Sequence, residues 1–217
     1  MTAFIVTYRP LAVSVRGRNA AKQFSLPLFI DGSCRREPDF ESPHPSISAL
    51  CRFTKFVPRL SKNDEILYLT VKSSFGQATK SHYRVVAHLR VGQDLPSHTA
   101  AAIWYRAIGV PVPSNCMVIG NPPVPYEQTI GFNGVAWRNY SESTRLRIWD
   151  RTYRKRSEKI GKFLVCDPIW LELHQPPKLF DTDLIEILGR VPGTQNPSAF
   201  GVSEIRAVLL RAQQNGA

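Results

Sequence analysis

The stretch RLSKNDEILYLTVKSSFGQATKSHYRVVAHLRV, Arg59 to Val91, decides how this sequence is read. It holds two runs rich in β-branched and aromatic residues, Glu65 to Lys72 and Tyr83 to Val91, the composition of strands. In the first, Ile66, Tyr68 and Thr70 alternate with Leu67, Leu69 and Val71, so both faces are largely apolar, as in a strand inside a small closed barrel. In the second, Tyr83, Val85, Ala87, Leu89 and Val91 share one face, while Arg84, Val86, His88 and Arg90 make a mixed face. Ser73 to His82 is polar and contains Gly76, which predicts a hairpin with a long loop. Ahead of both runs, Ser61-Lys62-Asn63-Asp64 reads as a tight polar turn.

A polar turn carrying an Asp, an apolar strand ending in a basic residue, and a second strand of the form Val-Val-Ala-x-x-x-Val resemble the PUA-like superfamily. Its EVE, ASCH and YTH domains are the nearest members, and their usual Gly-Asp turn is Asn63-Asp64 here. Asn tolerates the left-handed conformation better than other non-glycine residues, which suits the exchange. Arg36-Glu37-Pro38-Asp39-Phe40 also stands where EVE domains carry Ser-Glu-Pro-Asp. The chain is similar, too, to phage and bacterial proteins called nucleotide modification associated domains. The likeness covers roughly Phe24 to Val91 and implies an α+β fold, a bent antiparallel β-barrel with flanking helices. With 217 residues, the expectation is one PUA-like domain over 1–217 whose C-terminal extension packs on the barrel.

Composition narrows the partners. Apolar content of 43% is ordinary for a soluble globular protein, and no apolar run approaches the length that crosses a bilayer. The start, MTAFIVTYRP, lacks a charged region ahead of its apolar residues and reads as a strand, not a signal peptide. Cys34, Cys51, Cys116 and Cys166 form no CxxC pair, which fits a reduced, cytoplasmic chain and offers no zinc spacing. A net charge of +11 favours a polyanion, DNA or RNA, over an acidic small molecule, and no membrane partner is expected; weak non-specific binding is the bland alternative.

Taken in order, Thr2 to Arg9 and Leu11 to Val15 predict a first hairpin or a pair of edge strands, split by Pro10, Arg16 to Lys22 a basic loop, and Gln23 to Ile30 a strand. Ser33 to Glu41 is the densest polar cluster, with charges of both signs beside Pro38, as functional loops often have. A surface loop with internal ion pairs is the plainer reading. Pro45 opens a short predicted helix through Cys51, and Ser97 caps another over His98 to Ile108. Pro111, Pro113, Pro122, Pro123 and Pro125 stiffen a loop that presents Ser114 and Asn115. Arg145 to Lys162 carries eight cations against Asp150 and Glu158 and supplies six of the eleven net charges. Helical spacing gathers Arg147, Arg151, Arg154, Lys155 and Arg156 there as phosphate contacts, with a solvated face as the alternative. Phe163 to Cys166 and Ile169 to Leu173 predict late strands, Gly189 to Pro197 a loop, and Ser203 to about Gln213 a helix.

No phosphate-binding glycine loop, HExxH or GxSxG occurs, and nothing implies a cofactor or metal. The resemblance implies a nucleic-acid-binding protein that recognises a modified base in a pocket at the barrel mouth. Stacking candidates are Phe40, Tyr68 and Trp137, although no Trp lies in the first loop. Base-edge candidates are Ser33, Arg35, Arg36, Glu37, Asp39, Ser114, Asn115, Thr194, Gln195 and Asn196, from three loops expected to line one rim. The alternative is a hydrolase or nucleotide-modifying enzyme using Glu37 or Asp39 as general base, since some ASCH-type domains are hydrolases or ribonucleases. Arg35 and Arg36 should lower the pKa of a neighbouring carboxylate, which weighs modestly against that role. A His paired with Cys34 or Cys116 is another route to a nucleophile, and a basic interaction protein without a pocket is a third reading.

Overall fold

The computed structural model describes residues 1–50, 52–76, 78–128, 131–132, 135–136, 140–193 and 195–216. In chain order its elements are β1 (Ala3–Tyr8), α1 (Val15–Gln23), β2 (Ser46–Ser48), β3 (Glu65–Thr70), β4 (Tyr83–Leu95), α2 (His98–Ala107), β5 (Gly131–Phe132), β6 (Val135–Ala136), α3 (Glu142–Lys159), β7 (Phe163–Leu171), β8 (Lys178–Leu179), α4 (Asp181–Leu188), β9 (Ala199–Phe200) and α5 (Val202–Gly216).

The class is α+β. Seven strands form one mixed sheet in the order β2-β7-β4-β3-β1-β9, with β8 also on β4; β5 and β6 form a separate two-stranded ribbon. The predicted hairpin is present: β3 and β4 pair antiparallel, from Glu65 opposite Arg90 to Leu69 opposite Val85. Asn63 sits at φ 73, and Asp64 closes the turn by accepting from Ser61 N (3.0 Å) and Thr2 N (2.7 Å). The left-handed position expected of Asn63 is therefore occupied as its residue type allows.

The sheet does not close into a barrel. Its path ends on β2 and β9, three and two residues long, and β1 runs parallel to β3 instead of antiparallel. The two apolar faces of β3 have another cause. Ile66 and Tyr68 join Phe4, Val6, Tyr8 and Phe40 in one core, whereas Leu67 and Leu69 join Ala3, Ile5 and Val85 under Leu184 of α4 and Ile205 and Val208 of α5. Helices cover the second face, so periodicity alone could not distinguish this strand from a barrel stave.

Other expectations are corrected. No hairpin follows β1: Ser14 Oγ accepts from Gly17 N (2.9 Å) and caps α1, which replaces the predicted basic loop. Gly17 is required there, because a Cβ would lie 2.2 Å from Leu11 O. The segment expected as a strand over Gln23 to Ile30 is irregular beyond α1 and passes through Ser25 at φ 53. The short helix expected after Pro45 is instead β2, held by Asp39 on one side and by β7 on the other. The two late strands are one, β7, which runs through Pro168 where the ladder to β4 shifts register. Helix α4 was not anticipated; Asp183 accepts from Phe180 N (2.9 Å) at its start, and Gly189 ends it at φ 72. Among the described residues no helix is long and apolar enough to cross a membrane.

Candidate functional site

The polar cluster read from the sequence folds inward. Arg35 is fully buried; its Nε and Nη2 reach Asp150 of α3 (2.7 and 2.5 Å), and its Nη1 donates to the carbonyls of Ser114 and Asn121. Arg36, at φ 36, donates to Glu41 and to the carbonyls of Asp31 and Ser33. Glu37 accepts from Ser48 N (2.6 Å), Ser48 Oγ (2.8 Å) and Asn115 Nδ2 (3.3 Å). Asp39 accepts from both Ser114 N and Ser114 Oγ at 2.9 Å, and Asn115 accepts from Ser46 Oγ (2.8 Å) and donates to Ser46 O (3.2 Å). Arg35 Nη2 meets Asp150 as an ion pair without a hydrogen bond, and the remaining bonds fix the loop, the proline-rich segment and α3 relative to one another.

Two of the three expected loops thus converge, but on each other. Ser33 bonds Asp31, and Phe40 is buried edge-on against Tyr8 and Tyr68 (5.4 and 5.3 Å between centroids). In the third loop, Asn196 accepts from Arg59 Nη1 (3.2 Å). Thr194 and Trp137 lie outside the described residues.

The expected lowering of the Glu37 pKa is overturned. Burial pushes this carboxyl well above its ordinary range, and the donors on Ser48 and Asn115 offset only part of the rise. The neighbouring arginines do not counter it because their guanidinium groups turn to Asp150 and Glu41. Burial likewise raises Asp39 and pushes Asp31 up to about 6. The thiol route loses support on the same ground. Burial raises Cys34 and pushes Cys116 up to about 12, and Cys116 Sγ meets the carbonyl of His98, not its imidazole.

An open basic concavity lies elsewhere. A cleft of about 1090 Å³ runs between α3 and the 52–55 turn, with Gln195 on its wall. Cations line it: Arg52, Lys55, Arg151, Lys155, Arg156 and Lys159, against the single acid Glu158. Phe53 and Ile148 supply an apolar floor. Among the described residues none of these six cations has an acidic partner, although acids along the same helix are used: Arg154 pairs with Asp150 and Arg145 with Glu142. Of the five predicted phosphate contacts, Arg151, Lys155 and Arg156 line the cleft, while Arg147 and Arg154 do not. Arg156 is held in place by Leu50 O (2.5 Å) and lies over the Tyr153 ring.

Arg52 connects this cleft to a second, narrow cavity. Its Nη2 donates to Thr7 O and Thr7 Oγ1, and its Nη1 is buried without a hydrogen-bond partner. Behind it lie Tyr8, Tyr68, Phe56, Ile47, Ser48 and Glu37 around about 20 Å³, room for one water. Arg52 and Phe53 both have left-handed backbones, at φ 56 and 41, a strained pair at the junction of the two spaces. Sequence reading missed Arg52, Phe53 and Lys55, and counted Lys159 in the basic run without naming it as a phosphate contact. The signal was the alternation Arg52-Phe53-Thr54-Lys55-Phe56, cations interleaved with aromatics as nucleic-acid surfaces often are. No family model, curated protein or solved structure matches this chain.

Proposed function

We propose that this chain binds nucleic acid along the basic cleft and reads a base, in modified form, at the cavity behind Arg52. The observation that carries the reading is six cations around one concavity with no acidic partner among the described residues. Arg151, Lys155 and Lys159 follow one another at four-residue intervals, and each like-charged pair of that kind costs a helix about 0.2–0.5 kcal/mol. A polyanion would turn this repulsion into attraction and release counterions from its own backbone.

The base-reading half rests on the PUA-like resemblance and on the composition of the inner cavity. Tyr8, Tyr68 and Phe56 offer aromatic walls, and Glu37 and Ser48 offer polar groups at the edge. In the present conformation the cavity admits no base. Entry requires Arg52 to leave Thr7, and a phosphate in the cleft gives its guanidinium a stronger partner than a carbonyl. The direct test is a panel of oligonucleotides that differ only in base modification. One modification should bind roughly 5- to 150-fold more tightly, the range of one good bidentate base contact, and Glu37→Gln should erase that preference. Equal binding across the panel would refute base reading and leave the cleft as a non-specific surface.

A second reading has one observation in its favour. A carboxyl raised by burial, as Glu37 is, holds a proton at higher pH than an exposed glutamate and suits general acid-base work. On that reading an oligonucleotide or nucleotide is converted chemically, and conversion is lost in Glu37→Gln.

A further inference from the structure

We infer that the nucleic acid held by the cleft is single-stranded, with its phosphates along α3 and a base stacked on Phe53. This rests on the reading of the cleft as a nucleic-acid site and does not depend on the inner cavity.

Three observations lead to it. Arg151, Lys155 and Lys159 line the cleft four residues apart, so each step advances about 6 Å along the helix, close to the spacing of successive phosphates in an extended strand. Arg156 beside them is held by Leu50 O and the Tyr153 ring, so these three form the row that α3 presents, and one row matches one backbone. Opposite that row, Phe53 is half-buried at a left-handed turn between Arg52 and Lys55, and with Ile148 it makes the floor apolar. A duplex buries its base faces in its own stack and offers phosphates and groove edges, which would leave that floor unused; an unstacked base has a free face for Phe53. The third observation is size. About 1090 Å³ lies near the upper end for pockets that enclose a small ligand, enough for a short run of nucleotides, whereas one groove of a duplex is already about 12 Å wide.

The test is fluorescence anisotropy with the full chain and labelled oligodeoxythymidylate of about 12 nucleotides, beside a duplex of the same length. The single strand should bind roughly 10-fold or more tightly than the duplex. Phe53→Ala should weaken single-strand binding by roughly 10-fold without changing its salt dependence, because stacking releases no counterions, and Phe53→Tyr should restore it. Equal binding of the two forms, or a Phe53→Ala protein that binds the single strand as the parent does, overturns this inference and leaves the basic cleft as a nucleic-acid site. Failure of both forms to bind overturns that reading as well.

Discussion

Replacing Asp150 with Ala removes the carboxylate that pairs with the fully buried Arg35 guanidinium. Arg35 would keep the carbonyls of Ser114 and Asn121 but lose the contacts from its Nε and Nη2. Breaking a buried pair from one side costs about 3–5 kcal/mol, because a charge is left without compensation. The lower end applies, since two neutral acceptors persist and the Asp150 side chain is 18% exposed. Loss of the Arg154 pair adds little, as that arginine is 39% exposed and the pair is a single i,i+4 contact on the helix surface. About 3 kcal/mol, with a urea slope of about 2 kcal/mol per molar, moves the unfolding midpoint down by about 1.5 M. The same substitution in an Arg35→Met background should cost well under 1 kcal/mol, because no charge is then stranded. A loss below about 1 kcal/mol in the parent, or an equal loss in both backgrounds, would refute the assignment of Arg35 as the buried tether between the polar loop and α3.

Two buried groups should oppose each other in acid. His98, pushed down to about 4 by burial, contributes stability above its ordinary 6.5 that is lost as pH falls toward 4. Asp31, pushed up to about 6, contributes stability below its ordinary 3.8 that is lost as pH rises toward 6. Each is worth on the order of 3 kcal/mol at most. In urea midpoints taken between pH 4 and 6, Asp31→Asn should make stability rise more steeply with pH than in the parent, and His98→Gln less steeply; parallel curves would contradict both. Leu67→Ala should cost about 2–5 kcal/mol, because this side chain is fully buried beneath α4 and α5, and a cost under 1 kcal/mol would argue against that packing. Gly17→Ala should also destabilise, since the added methyl meets Leu11 backbone at 2.2 Å; an unchanged midpoint would show that α1 can shift away.

The sequence made the local pieces legible where residue type and period agree. The β3–β4 hairpin, the Asn63 turn, the Ser97 cap and the basic helix were readable because alternation, a left-handed residue, a side-chain cap and helical charge spacing each act over a few residues. Sheet closure was not, because an apolar second face on β3 looks the same whether α5 or another strand covers it. The site was half legible. Charge on α3 pointed to Arg151, Lys155 and Arg156, but no local pattern says that Arg35 turns inward to Asp150, Glu37 to Asn115 and Asp39 to Ser114. Glu37 and Asn115 lie 78 residues apart in sequence, and Arg35 and Asp150 lie 115 apart.

The most direct test of the cleft is the salt dependence of oligodeoxythymidylate binding by the parent and by a protein carrying Arg151→Glu and Lys155→Glu. Each lost single-strand phosphate contact flattens the slope of log affinity against log salt by about 0.7, so the double reversal should flatten it by about 1.4 and weaken binding to every sequence alike. A slope and affinity equal to the parent's would contradict the account and leave these cations as a solvated face.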